Sequence, residues 1–595
     1  MDEQKIIMKT VLKKVTILLI GLAYFINVGA TDIFVAPYGN DANDGLNKPL
    51  SSLSMAIRKA REIRRNCKTS DSIKIHIRKG TYRLYKPIFL RPEDYNIEII
   101  GDYGTIISGG ITVTGWKRDG KLWVADAPDF NGHPLDFRQM WVNGVKAVRA
   151  RDVVDFENMH RIKSINKEKR IIWVPKSSIE KVIHSQYTEM VLHEMWCIAN
   201  LRIKNIVIQG DSAGISFQEP ESSIQFEHPW PSPMITKDGK QNSPFYLTNS
   251  MQLLDNEGEW YHDIRSGKLY YYPRDNEDMT NTEVIIPALE TLVQITGTPD
   301  YVVNNITFRN IQFENTSWIR PSYYGHVPLQ AGMYLTEAYK LNPKMVRNDG
   351  NHKLDNQGWL GRANAAVEIR NGNDINFRNC TFQHLGGSGI DYIIGDKRGI
   401  VDSCIFRDIA MNGYVSGSFS TSGIEAHLPY NPKDKREICE MQTISNSIFK
   451  EVANEDWGCV AIAAGFVANI NIENNNISEI PYTGISLGWG WTCSPNCMHD
   501  NRVYGNTIYH YAMHMYDTAG IYTLGAQPGT VISHNKIYGI YHPSYVHDPE
   551  HWFYLYTDEG SSGITVKDNW TESEKFLKNA NGPGNIWKNN GRIKQ

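Results

Sequence analysis

Asn475-Asn476-Ile477 is followed by Gly484-Ile485, Asn506-Thr507-Ile508 by Gly520-Ile521, and Asn535-Lys536-Ile537 opens the pattern again. Outward from this stretch, an Asn (once Ser), any residue and usually an aliphatic recur at Asn379, Ser403, Asn446, Asn475, Asn506, Asn535 and, more loosely, Asn569. The spacings are 24, 43, 29, 31, 29 and 34 residues. A Gly-aliphatic pair follows about a dozen residues later, at Gly389-Ile390, Gly423-Ile424, Gly458-Cys459, Gly484-Ile485, Gly520-Ile521 and Gly563-Ile564. Self-similarity at a period of about 20–50 residues marks a solenoid or a propeller, in which each unit buries its apolar face on the next. Each unit here holds two or three short alternating strands, such as Ile470-Asn471-Ile472-Glu473 and Thr530-Val531-Ile532-Ser533, and no amphipathic helix. A four-stranded propeller blade needs about 40 or more residues, and most of these spacings are shorter. The pattern predicts an all-β chain built on a right-handed parallel β-helix.

The pattern also predicts an order of domains. Val35 to Gly45 (V-A-P-Y-G-N-D-A-N-D-G) precedes a helical periodicity from Leu53 to Arg65. A strand, a turn and a helix suit the open end of a solenoid, whose strand edges need covering. The cap and first coils are assigned to 31–115. From Trp116 to Pro287 the repeat vanishes. Trp141-Val142-Asn143-Gly144 signals a hairpin, and Glu259 to Asp263 and Lys268 to Tyr272 read as strands joined by Gly turns. An inserted antiparallel β-sandwich is expected over 116–290, the main helix with its groove over 291–580, and a tail over 581–595. The irregular aromatic segment from Ser317 to Arg362 is expected to wall a binding groove.

Lys9, Lys13 and Lys14 precede an apolar run from Val15 to Val28 that ends in small residues at Gly29-Ala30. This is the pattern of a cleavable signal peptide over 1–30, which implies a periplasmic or secreted protein without a membrane anchor. A net charge of −3 offers nothing to attract nucleic acid. With 15 Trp and 31 Tyr the chain is well supplied for stacking on sugar rings. Cys380 and Cys404 follow the repeat position of consecutive coils and are expected to stack as buried thiols; Cys493 and Cys497 are close enough to bridge, and a bridge and free thiols both stay open. No cofactor is expected, because no phosphate-binding loop, dinucleotide fingerprint or zinc-protease motif is present, and no metal. A monomer is expected.

The chemistry is sought in acidic residues at one register of the coil. Asp517 lies three residues before Gly520-Ile521, and Asp558 five before Gly563-Ile564. Adjacent strands lie about 4.7–4.9 Å apart, so this register predicts the two carboxylates stacked on one edge, as a glycosidase requires. An Asp before Gly also serves turns; stacked like charges need a further reason. Glu559 and Glu455 are rival carboxylates. Trp489, Trp491, His514, Tyr522 and Trp552 are expected to line the sugar site around the pair. His542, His547 and His551 lack tight ligand spacing.

The stretches V-A-P-Y-G-N-D-A-N-D-G, G-G-I-T-V-T-G-W, M-W-V-N-G-V-K-A-V-R-A-R, G-E-W-Y-H-D with G-K-L-Y-Y-Y-P, D-T-A-G-I-Y and T-D-E-G span nearly all the chain beyond residue 30 and resemble glycoside hydrolase family 141. The resemblance implies a pectin-lyase-like solenoid, and a catalytic pair that maps onto Asp517 and Asp558. The family includes an α-L-fucosidase of the pectin rhamnogalacturonan II and a xylanase. The match leans to the fucosidase, which implies a plant cell-wall oligosaccharide as substrate. A xylanase or xylosidase of the same family, or a polysaccharide lyase on the same fold, is the alternative reading, and a non-catalytic glycan-binding solenoid a third.

Overall fold

The computed structural model describes residues 31–592 apart from 68–70, 229, 276, 338–339, 347–352, 357–359 and 420–428. The expected signal peptide and the Gly423-Ile424 pair lie outside the described residues. The chain is a parallel β-helix, and the coils stack through three parallel ladders, two continuous as one 20-stranded sheet and a third of ten strands. One coil is made of Asn471–Glu473, Asn476–Ser478 and Ile485–Leu487. The next is Arg502–Tyr504, Thr507–Tyr509 and Thr518–Thr523. A third is Val531–Ser533, Lys536–Tyr538 and Trp552–Thr557. Each strand pairs in parallel with its counterpart one coil on.

Successive side chains on a strand face opposite sides, so the middle residue of each short strand points inward. Ile472, Val503, Ile532 and Val566 form one buried file, and Ile477, Ile508 and Ile537 another. In the earlier coils that second file is aromatic: Phe313, Phe382, Phe406 and Phe449 stack at centroid spacings of 4.9, 4.9 and 4.5 Å. At the bend beside it, Asn475, Asn506, Asn535, Asn569 and Asn590 form a ladder. Each side-chain amide donates to the next Oδ1, at 3.0, 2.9, 2.9 and 2.8 Å. Each Oδ1 also accepts the preceding coil's backbone N–H. A coil bend buries polar backbone that a strand ladder leaves unpaired, and the Asn file satisfies it.

This register corrects the repeat in two places. Asn379, Ser403 and Asn446 sit one residue too early: strand pairing aligns Cys380, Cys404 and Ser447 with the Asn ladder. Asn379, Ser403 and Asn446 instead take left-handed φ of 52°, 56° and 52° at the turn. Asn suits both places, since its amide pairs along a stack and it tolerates the left-handed region, which is why the sequence merged them. Gly458-Cys459 and Gly563-Ile564 are likewise not counterparts of Gly484-Ile485; Ile462 and Leu555 occupy that register. Cys380 and Cys404 are buried thiols in consecutive coils, and Cys493 and Cys497 are both free.

At the N-terminal end the helix Leu53–Cys67 lays Leu53, Ala56, Ile57 and Ala60 on the core. Ser52 Oγ accepts the Met55 N–H at 3.2 Å and caps it. The inserted sheets open and close on one antiparallel pair, Gly110–Val113 with Val284–Pro287. Between them lie a five-stranded sheet and a seven-stranded antiparallel sheet. Asn143 and Gly144, at φ of 50° and 75°, close the Trp141–Lys146 hairpin. The insert docks back on the helix: Trp141 Nε1 donates to Asp408 at 2.8 Å, and Arg161 to the Tyr545 carbonyl at 2.9 Å. Among the described residues no helix is long and apolar enough to cross a membrane.

Candidate active site

Asp517 immediately precedes Thr518–Thr523, and Asp558 immediately follows Trp552–Thr557, the parallel neighbour of that strand. They are therefore not stacked equivalents, as the Gly-Ile register predicted, but stand at opposite ends of adjacent strands. Asp517 takes a left-handed φ of 55°. Its N–H donates to the His551 carbonyl at 2.6 Å, and its own carbonyl accepts the Tyr482 hydroxyl at 3.1 Å. Two backbone bonds thus hold a conformation that a non-glycine residue adopts at a cost of about 1–3 kcal/mol. His551 Nε2 stands 3.1 Å from Asp517 Oδ1.

Asp558 is 8 % exposed. The Tyr522 hydroxyl donates to its Oδ2 at 2.6 Å and the Asn579 amide to its Oδ1 at 2.7 Å. Its N–H donates to the Thr523 carbonyl at 3.0 Å. Burial pushes this carboxyl up from 3.8 to about 6; the charge of Asp517 adds to the rise, against the two hydrogen bonds that favour the anion. The phenols of Tyr556 and Tyr482 are held protonated by burial and by the charges of both aspartates, so the two carboxylates share one electrostatic neighbourhood. Among the described residues no Lys or Arg pairs with either, and the only basic partner is His551, whose pKa is raised by its bond to Asp517.

Around the aspartates, Tyr522, Tyr556, Phe553, Ala519 and Leu524 form an apolar cluster on which Trp491 packs. Tyr522 and Tyr556 occupy paired positions and meet edge to face at 5.0 Å. Glu559 lies beside Asp558, half-buried, its carbonyl accepting the Gly525 N–H at 3.2 Å. Asp558, Tyr522 and Trp491 come together with Glu559 beside them, while Asp517, at the other end of the neighbouring strand, is linked to them through the Tyr556 hydroxyl and through its charge on Asp558.

The other candidates do not join them. Trp489 is 1 % exposed, edge-on to Phe419 at 4.9 Å and to Trp491 at 5.0 Å, and it fills core. The glycines on either side let the chain turn so that this ring packs inward. Trp552 packs against the helix core, stacked on His542 at 5.6 Å and under Lys575 Nζ at 3.8 Å. Its neighbour Phe553 takes the outer face. Glu455 and His514 line a separate cavity of about 310 Å³ between the insert and the helix, together with Trp318 and His326 of the aromatic segment. That segment thus borders a second cavity. Sequence reading missed His551, Tyr556 and Asn579 as partners of the pair. His551 and Tyr556 lie in the stretch just before Asp558, but only the strand register brings His551 to Asp517, and Asn579 arrives from the next coil. Among the described residues no group of His, Cys, Asp and Glu could hold a metal ion.

Residues 120–274 match the model of the family 141 insertion domain. A solved structure described as a glycoside hydrolase is 56 % identical and covers 94 % of this chain and 97 % of its own, at a TM-score of 0.92. The complex of XylC with xylose is 12 % identical, covering 92 % of this chain and 70 % of its own at a TM-score of 0.47. A hyperthermoactive exopolygalacturonase from Thermotoga maritima is 10 % identical, covering 90 % and 87 % at a TM-score of 0.33. The last two are too distant to bear on chemistry. No curated protein matches the chain. The near full-length match and the insertion domain together place this chain in glycoside hydrolase family 141.

Proposed function

We propose that the protein is an exported α-L-fucosidase of plant cell-wall pectin, with Asp517 and Asp558 as its catalytic carboxylates. The observation that carries the assignment is the contrast in their surroundings: Asp558 is buried, hydrogen-bonded by neutral groups and raised to about 6, while Asp517 stands against His551. Glycosidases need one carboxyl that holds a proton and one that does not. Asp558 serves as the general acid, delivering its proton to the departing glycosidic oxygen. Asp517, set against His551, is the partner that activates water or attacks the anomeric carbon. Tyr522 and Asn579 position the Asp558 carboxyl, and Trp491 and Tyr556 offer apolar faces to the sugar. The choice of fucose rests on the likeness of the D-T-A-G-I-Y and T-D-E-G motifs to the fucosidase type of the family.

A panel of aryl glycosides led by the α-L-fucoside and the β-xyloside tests this reading. Release of aryl alcohol from the α-L-fucoside supports it; cleavage of the β-xyloside alone overturns the sugar assignment. An unsaturated uronide released from pectin would make the protein a lyase.

A further inference from the structure

We propose that the cavity between the inserted domain and the helix is a second saccharide site, for a sugar unit that carries a carboxylate. Its volume of about 310 Å³ falls at the small end of ligand clefts, roughly 300–1,000 Å³, and domain interfaces are where such clefts concentrate. One wall is aromatic. Trp457 stacks on His514 at 4.2 Å, and Phe156 meets both edge-on at 4.7 and 5.2 Å, with Tyr246 beside Trp457 at 6.1 Å. Such a surface suits the C–H face of a pyranose.

The charges point to an anion. Arg138, Lys146, Arg149 and Arg151 line the cavity against Glu455 and Asp456. Three of the cations are already paired: Arg138 and Arg149 grip Glu189 at 2.8 and 2.9 Å, and Lys146 reaches Glu455 at 2.7 Å and Asp408 at 3.2 Å. Asp456 is held by His326 at 3.0 Å. Arg151 is the remainder. Its Nε donates to the Val153 carbonyl at 2.9 Å and its guanidinium lies 4.7 Å over the Phe156 ring, yet no described carboxylate pairs with it. A guanidinium held over an aromatic ring keeps terminal N–H donors for a carboxylate, the bidentate pairing in which Arg exceeds Lys. Two further lining groups have unmet polar atoms: His326, 3 % exposed, whose Nδ1 has no partner, and Asn200, whose buried Oδ1 has none. Buried polar atoms left unpaired are costly, and sugar hydroxyls satisfy both donors and acceptors. The cavity opens to solvent at Glu455, whose side chain is 36 % exposed.

The proposal does not depend on which glycosidic bond Asp517 and Asp558 cleave. Titration calorimetry of the intact protein with D-galacturonate, D-glucuronate, D-galactose and D-glucose tests it. A uronate should bind saturably and at least about tenfold more tightly than its neutral counterpart, and weaken with added salt. Arg151→Gln should erase the preference, and Arg151→Lys should keep part of it by retaining charge without the fork. Both variants should hydrolyse an activated aryl glycoside at the wild-type rate, which also reports that they fold. Uronate affinity should be unchanged in Asp558→Asn, separating this site from the Asp517/Asp558 groove. Equal affinity for uronate and neutral sugar, no saturable binding of either uronate, or undiminished preference in Arg151→Gln would overturn it.

Discussion

Two carboxylate constellations in this molecule differ in what faces the negative charge. Asp408 receives Lys146 at 3.2 Å, His384 at 2.7 Å, the Trp141 indole at 2.8 Å and the Asn454 amide at 2.8 Å. Burial alone would raise its pKa, but Lys146 and His384 reverse the sign and hold it below the usual carboxylate range. Asp558 is buried too, but its partners are a phenol and an amide, and the charge that acts on it is another carboxylate, that of Asp517. Its pKa goes up. Similar burial gives opposite outcomes because a cation repays the desolvation of the anion, whereas neutral donors repay only part of it. The first constellation fastens the insert to the helix as a fixed ion network; the second keeps a proton available near neutral pH.

If that contrast is right, the largest effects belong to the second constellation. Asp517→Asn and Asp558→Asn should each lower turnover about 10²–10⁴-fold, as loss of a general acid or base does. In the wild type, kcat/KM on an unactivated glycoside should fall as pH rises above about 6, where Asp558 loses its proton. That limb should vanish in Asp558→Asn. Steady-state kinetics across pH check both.

Lys146→Met should do the reverse. It strands Asp408 and Glu455, and removal of one partner from a largely buried ion pair costs about 3–5 kcal/mol; Glu455 is partly solvated, so about 1–3 kcal/mol is expected. Turnover below the unfolding transition should remain at the wild-type level. Thermal unfolding beside an aryl glycoside assay reads both quantities. A large turnover loss without destabilisation would merge the two constellations.

Stability against pH separates them further. For Asp558 the folded pKa is raised, from 3.8 to about 6. The proton is held more tightly in the fold, so its stabilisation is complete below the unfolded value and is lost as pH rises through 6. Asn never ionises, so Asp558→Asn should gain on the wild type between pH 4 and pH 8 by about 2–3 kcal/mol, from roughly 1.4 kcal/mol per pKa unit. Unfolding midpoints at the two pH values check the sign. The smallest expected effect is on His551, whose pKa is raised by Asp517. Its ring proton resonances should titrate above the ordinary value of about 6.5 and return toward it in Asp517→Asn.

The helix was legible because a solenoid repeats its physics. Each coil must bury a mid-strand aliphatic and relieve a polar bend, so Ile and Asn recur. The register was less legible, since Asn serves both the stacked ladder at Asn475 and the left-handed turn at Asn446. The pair was singled out on a register that failed: Asp517 and Asp558 do not share one. Their motifs resembled the family; strand pairing sets Asp517 beside His551 and Asp558 beside Thr523, and the charge of Asp517 still reaches Asp558. Trp489 was misread because Gly-Trp-Gly-Trp signals a turn but not which ring points inward. The partnership of Lys146 with Glu455, 309 residues apart, has no local signal at all.

The most direct test compares Asp558→Asn on an unactivated α-L-fucosyl oligosaccharide and on the 2,4-dinitrophenyl α-L-fucoside, whose leaving group departs without protonation. The assignment of Asp558 as general acid predicts turnover down about 10²–10⁴-fold on the first and close to wild type on the second, while Asp517→Asn loses both. Near-wild-type turnover of Asp558→Asn on the oligosaccharide, or equal loss on the two substrates, would contradict it.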